Sequence, residues 1–234
     1  MELVAIDRMR FRWPRSGEVC LDVPHFAMAR GDSVFLFGPS GCGKSTFLSL
    51  LTGVQTCQDG IVALGGQAWS ALRPADRDRL RAERVGYLFQ TFNLLPYLSA
   101  LDNVLLPCRF SPTRAARARQ QAGSVRAAGE ALLRRMRLAP TLWRQSAACL
   151  SVGQQQRVAS ARALIGSPEL VVADEPTSAL DRASKDVFLD LLLSECEQAG
   201  SGLILVSHDE SLAGRFRRRV ALPDLNRARV PEEG

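Results

Sequence analysis

The chain has 234 residues, 46% of them apolar, 23% charged and 6% aromatic, a composition that excludes disorder and collagen-like repeats. A chain of this length removes roughly 70% of its unfolded surface from water and needs no staple. Its net charge of +6 allows attraction to nucleic acid or an anionic membrane surface and establishes neither. The six cysteines, Cys20, Cys42, Cys57, Cys108, Cys149 and Cys196, form no CxxC pair and no Cys/His cluster, so a reducing compartment is expected, with no zinc site or disulfide framework. Glu2, Asp7, Arg8 and Arg10 interrupt any secretory apolar segment, and no later stretch reaches the length of a bilayer span. A cytosolic chain is expected.

In chain order, Leu3 to Trp13 is β-compatible up to Pro14, and Cys20 to Ala29 follows before an Arg30-Gly31-Asp32 turn, which predicts an antiparallel sheet. Val34 to Phe37 is all apolar, as in a strand buried on both faces. After a glycine loop, Phe47, Leu50, Leu51 and Val54 recur at helical spacing. Val85 to Phe89, Leu170 to Ala173 and Leu203 to Val206 are further strands, the last two with the continuous apolar character of a parallel sheet. Pro112 to Arg137 predicts helix broken at Gly123 and Gly129, and a second helix from about Gly153 to Ile165 stops at Gly166 and Pro168. With no repeat or linker, the chain is expected to be one α/β domain over residues 1–234. It would combine a mostly parallel sheet, an N-terminal antiparallel β subdomain and an inserted helical subdomain over about 91–165.

Basic residues are nearly all arginine, concentrated between Arg114 and Arg137 and between Arg215 and Arg229, and are expected to line solvated helical faces. The only two lysines are Lys44 and Lys185. Lys44 stands inside Gly38-Pro39-Ser40-Gly41-Cys42-Gly43-Lys44-Ser45-Thr46, which satisfies GxxxxGK[ST] between a buried strand and an amphipathic helix. Glycines there let backbone N–H groups face an anion, and the helix N-terminus adds partial positive charge. Lys44 reaches the β- and γ-phosphates of a nucleotide, and the Ser45 hydroxyl ligates Mg²⁺. Cys42, within that loop, is expected to be a reactive thiol protected by nucleotide. At the end of Leu170 to Ala173, Asp174 would face the Mg²⁺ shell, and Glu175 could take a proton from the attacking water. Ser151 is placed to cap a helix whose first N–H groups, at Val152 and Gly153, would form a second anion site.

Leu150-Ser151-Val152-Gly153-Gln154-Gln155-Gln156-Arg157-Val158, followed by Ala161-Arg162-Ala163-Leu164, resembles the signature motif of ATP-binding-cassette (ABC) ATPases. The resemblance continues through Pro176 to Asp181 as the D-loop, Gln90 as the Q-loop residue and His208 as the switch histidine, in family order over nearly the whole chain. It implies an ATPase with ATP and Mg²⁺ as cofactors. Glu175, His208, Lys44 and Gln90 would then act in catalysis, Ser45, Gln90 and Asp174 would attend the metal, and Ser151, Gly153, Gln154 and Asp181 would contact nucleotide. The family carries glycine where Val152 stands, so changed affinity is expected there. Trp13 stands where the family has an adenine-stacking aromatic, with Phe11 as the rival.

The resemblance further implies the ATPase subunit of a transporter, peripheral at the cytoplasmic face of the inner membrane. It would dimerise with itself or a paralogue, sandwich two ATP and drive a separate integral membrane permease. Gln90 to Pro96 with Asp102 to Pro107 looks most like the lipoprotein-releasing and macrolide-efflux group. The alternatives are the ATPase subunit of an importer, a soluble ABC ATPase acting on nucleic acid, and a small-molecule P-loop kinase. No sustained heptads support the coiled coil of DNA-repair members, so no nucleic-acid partner is expected, and a kinase leaves the signature and His208 unexplained.

Overall fold

The structure is a computed structural model that describes residues 2–14, 17–178 and 180–228. In chain order its elements are β1 (Glu2–Arg12), β2 (Val19–Ala29), β3 (Ser33–Phe37), α1 (Lys44–Leu51), β4 (Asp59–Leu64), β5 (Gln67–Ala68), α2 (Pro74–Arg84) and β6 (Val85–Leu88). There follow α3 (Ala100–Phe110), α4 (Pro112–Ala122), α5 (Val125–Arg135), α6 (Val152–Leu164), β7 (Leu170–Asp174), α7 (Arg182–Ala199), β8 (Gly202–Val206), β9 (Arg218–Ala221) and α8 (Leu222–Leu225). They gather into two compact units, Met1–Arg81 with Ile204–Gly234, and Ala82–Leu203. Ala179 and Arg229, which fall within the predicted D-loop and the second arginine-rich stretch, lie outside the described residues.

The first unit opens with the expected antiparallel sheet, in strand order β2-β1-β4-β5. Ile6 pairs with Phe26 and Phe11 with Leu21, and one face of β1 is fully buried through Leu3, Val4, Ile6, Met9 and Phe11. Each such side chain contributes about 1.5 to 3 kcal/mol by leaving water, which fixes the register because a one-residue slip would expose the whole set. Parallel pairing follows in the order β8-β3-β9, with Val34 opposite Arg218 and Phe37 opposite Ala221. Helix α1 buries Phe47, Leu48, Leu50 and Leu51 and ends at Leu51. Val54 is not part of that face as predicted: it is exposed in the turn beyond the helix.

In the second unit β6 and β7 pair in parallel, Val85 opposite Leu170 and Leu88 opposite Ala173. Helices α3 to α7 each begin on a side chain that accepts a hydrogen bond from the third amide of the helix: Ser99, Ser111, Ser124, Ser151 and Asp181. Caps of this kind stabilise a helix by about 1 kcal/mol apiece, and they make arginine-rich segments of low apolar content helical. The predicted break at Gly123 is real, with φ 78° at the end of α4, whereas Gly129 continues α5 and packs against Leu105 and Leu101. Glycine was needed there for lack of bulk and not for a turn.

The best-buried charge of the unit is Arg114, 2% exposed. Its guanidinium donates to the carbonyls of Ala163 (2.7 Å) and Ile165 (2.7 Å) at the end of α6 and of Val85 (3.2 Å) at the start of β6. Burial lowers its pKa to about 10, which leaves it charged at neutral pH. Gly166, at φ 68°, lets the chain leave α6 beside it, where a Cβ would lie 2.5 Å from the Arg114 carbonyl oxygen. Replacing Arg114 by methionine, which fills the volume but donates nothing, should destabilise the protein by at least about 3 kcal/mol, since three buried acceptors lose a charged donor. Arg114→Lys should recover part of that loss, both read from the urea midpoint.

Candidate active site

In the first unit the chain leaves β3 at Phe37 and turns through Gly38, Gly41 and Gly43 at φ 158°, 76° and 99° before α1 begins at Lys44. Gly43 is required twice: by its left-handed φ, and because a Cβ would sit 3.0 Å from Leu21 Cδ2. The first turn of α1 contains no acidic side chain, so its amides and dipole are not compensated from within that turn. Lys44 Nζ folds back over the loop and donates to the carbonyls of Gly38 (2.9 Å) and Pro39 (2.8 Å), using two of its three donor hydrogens. Pro39, Ser40, Gly41 and Ser45 are exposed and Thr46 is half-buried. This donor set, a lysine with helix-end amides and a hydroxyl, fits a triphosphate and its Mg²⁺.

Cys42 departs from expectation. Its side chain is 3% exposed and packs inward, with Sγ 2.8 Å from where a Gly38 Cβ would be, so reagents cannot reach it as an open thiol. His208 follows β8, whose end is fixed beside β3 by the Ser207 N–H bond to Leu36 O (3.3 Å), and is exposed at the edge where Gly38 begins the loop. The other histidine, His25, pairs opposite Asp7 in the antiparallel sheet. Trp13 lies just past β1, 40% exposed, with its ring edge-on to Phe11 at 5.1 Å. Phe11, 1% exposed, has no open face. Of the two aromatics, only Trp13 offers a surface for a base.

In the second unit, the Leu88–Ala173 pairing brings Gln90 and the Asp174-Glu175 pair out at one carboxyl edge. Gln90 is exposed, and both carboxylates are half-buried. Glu175 has φ 47°, a left-handed conformation uncommon for a non-glycine residue and concentrated at functional sites. The hydroxyl of Tyr87, on β6, has its pKa pushed up by burial first and by the Asp174 charge second. Asp181 caps α7, accepting from Ser184 N (3.0 Å) and Ser184 Oγ (2.7 Å).

The signature segment forms the start of α6. Ser151 accepts from Gln154 N (3.4 Å), and the Gln154 side chain accepts from Ser151 N (2.9 Å), a reciprocal capping box. Val152 takes helical φ and is exposed, and a Cβ on Gly153 would meet open space. The amides of both belong to the helix's first turn, where no intrahelical acceptor exists. The two following glutamines were not singled out from the sequence. Gln155 Nε2 holds the carbonyls of Ala147 (3.2 Å) and Leu150 (3.0 Å), which sets the turn leading into Ser151. Gln156, 1% exposed, donates to Pro176 O (2.6 Å), the residue after Glu175. Their glutamine run in a helix start was the available signal.

The ABC transporter family profile matches residues 21–178. The chain belongs to the ABC transporter ATP-binding family. It is 42% identical to the "Uncharacterized ABC transporter ATP-binding protein YbbA" of Escherichia coli (strain K12) over 193 residues, 82% of this chain and 81% of that protein. It is 40% identical to the lipoprotein-releasing system ATP-binding protein LolD of Hydrogenovibrio crunogenus over 199 residues, covering 85% and 83%. The macrolide export ATP-binding/permease protein MacB of Syntrophobacter fumaroxidans is 39% identical over 96% of this chain, which spans 31% of it. Among solved structures, the dimeric post-hydrolysis cassette MJ0796 bound to ADP and Pi matches with TM-score 0.80 at 29% identity, covering 99% of this chain and all of that one. This ABC ATPase therefore hydrolyses ATP with Mg²⁺, and its relatives LolD and MacB are of the lipoprotein and macrolide group that Gln90 to Pro96 with Asp102 to Pro107 suggested. Among the described residues no helix is long and apolar enough to cross a membrane.

Two outcomes follow for the first unit. A thiol reagent should modify exposed Cys149 well before Cys42, by peptide mapping of a time course, whether or not Mg-ATP is present. Were Trp13 the stacking aromatic, Trp13→Ala would weaken ATP binding by about tenfold, base stacking being worth about 1 to 3 kcal/mol, whereas Trp13→Phe would retain most of the affinity.

Proposed function

We propose that this ABC ATPase drives export or extraction of a hydrophobic or lipid-linked substrate through a separate integral membrane permease, lying peripherally on the cytoplasmic face of the inner membrane. The observation that carries this is the 40% identity to a lipoprotein-releasing ATP-binding protein over more than four-fifths of both chains. The likeness to MacB, whose name joins an ATP-binding part to a permease, supports the same direction. These relatives are named for transport, which favours this reading over a nucleic-acid partner. An importer subunit remains the rival, distinguished by the permease that co-purifies with the chain.

In the proposed mechanism the whole chain acts as one ATPase domain, with residues 91–165 as its helical subdomain. Trp13 stacks on adenine. The Gly38-to-Thr46 loop holds the phosphates through its amides and the Lys44 ammonium. Ser45 and Asp174 would hold Mg²⁺, with Gln90 in attendance, and the metal would offset charge on the phosphate oxygens. Glu175 accepts the proton of the attacking water, and His208 hydrogen-bonds the γ-phosphate and holds that water in line. The amides and hydroxyl of Ser151, Gly153 and Gln154, with Asp181, serve the nucleotide of a second copy or a paralogue. Two anion sites on separate helix ends, α1 and α6, support a dimer that sandwiches two ATP, as does the dimeric state of the MJ0796 cassette.

Glu175→Gln keeps volume and hydrogen bonding but cannot take the proton, so it should lower kcat at least about a hundredfold while trapping an ATP-bound dimer. Lys44→Ala should bind ATP poorly and stay monomeric. Light scattering with Mg-ATP reads both, and full activity in Glu175→Gln would overturn the assignment of the base.

A further inference from the structure

The segment that carries Gln90 out of β6 is strained and tied down from one helix. Phe92 and Asn93 both sit in the left-handed region, at φ 59° and 46°. A non-glycine residue pays for that conformation, and two in succession persist only where the surroundings hold them. The holding group is Arg162, in the last turn of α6. Its guanidinium donates to Asn93 O (2.6 Å) and to Phe92 O, so the two strained peptides share one planar fork. Burial lowers the pKa of Arg162, in keeping with a cation drawn in to meet those carbonyls. On the near side the turn is closed by Phe92 N to Phe89 O (3.0 Å) and Asn93 N to Thr91 O (2.7 Å). On the far side the buried Asn103 amide accepts from Leu95 N (2.8 Å) and donates to Leu95 O (3.0 Å). Gln90 thus leaves a strand whose loop is clamped at both ends, and the middle clamp belongs to the signature helix.

The same helix reaches the other loop of this edge through Gln156 on Pro176 O. The two side chains stand six positions apart along α6. Both the Gln90 loop and the exit of Glu175 are thereby bonded to one helix.

We infer that Arg162 is a positioning residue for ATP hydrolysis: it holds Phe92 and Asn93 in their left-handed turn and so makes the placement of Gln90 depend on the signature helix. The inference rests on the proposed role of Gln90. It goes beyond that role by assigning the residue that transmits the position of α6 to it.

The test is steady-state ATPase of Arg162→Ala and Arg162→Lys in the full chain, with Gln90→Ala and the Arg162→Ala/Gln90→Ala double variant, and amide hydrogen exchange over residues 91–95. Lysine keeps the charge and most of the stem but replaces two planar donor nitrogens by one ammonium nitrogen, which loosens the hold on Phe92 O and Asn93 O, so it remains informative where alanine fails to fold. Losing the fork should lower kcat about tenfold, leave KM for Mg-ATP within about twofold, and speed exchange in the loop. The double variant should be no slower than Gln90→Ala alone, because Arg162 acts through it. Normal kcat in Arg162→Ala or Arg162→Lys beside a slowed Gln90→Ala would overturn the inference alone. So would multiplied losses in the double variant, or a rise in KM with kcat intact. A wild-type rate in Gln90→Ala would overturn the reading of Gln90, and the inference with it.

Discussion

Three backbone carbonyls at the end of α6 and the start of β6 turn toward the Arg114 guanidinium, and the second unit is organised around that meeting. A helix C-terminus buried against a sheet leaves acceptors that water cannot reach, and each would cost about 1 to 3 kcal/mol if abandoned. Arginine solves this where lysine would not, because its planar fork addresses several acceptors at once while the stem fills apolar space. The cost is the burial of a charge, visible in the lowered pKa. With its far end fixed, α6 becomes a rigid strut whose near end presents the signature segment.

The strut is held at its start by side chains of three consecutive glutamines with three different tasks. Gln154 closes the capping box, Gln155 sets the preceding turn, and Gln156 reaches the loop after Glu175. Because successive helical positions are about 100° apart, three adjacent long amides can face three directions from one turn. A glutamine run that looks redundant in sequence is thereby used without redundancy in space.

The buried strands and the phosphate loop were legible because their signals are local: all-apolar runs, and glycines at spacings that only a tight anion turn requires. The antiparallel opening was legible from two β-compatible stretches, Leu3 to Trp13 and Cys20 to Ala29, separated after Pro14, whereas the Arg30-Gly31-Asp32 turn leads from β2 to β3 in the other sheet. Other elements escaped for identifiable reasons. Helix α2 buries no residue fully, so it shows no apolar stripe, and α3 carries Pro107 inside it. Val54 matched the helical period, but α1 stops one turn earlier, where Gly53 packs against Trp69. Cys42 was assigned by its loop neighbours, although exposure depends on which way a side chain turns, a tertiary property. Arg162 and Gln156 stood in the signature segment without a role of their own, since the carbonyls they serve lie 69 and 20 positions away.

Val152 shows how such supports let a motif change. Glycine at the first helical position would be demanded by a left-handed φ or by lack of room, and neither applies here. The backbone is helical at Val152, the side chain is exposed, and the turn is set by the reciprocal Ser151 and Gln154 bonds. Valine restricts the unfolded chain more than glycine does, so at a position whose φ it accepts it stiffens the start of α6. Helix N-termini attract anions through main-chain amides and the helix dipole, neither of which a side chain pointing to solvent removes. What valine changes is the surface around those amides: in the proposed dimer an apolar, branched side chain would stand where the second copy's nucleotide approaches and would narrow that approach while leaving the donors in place.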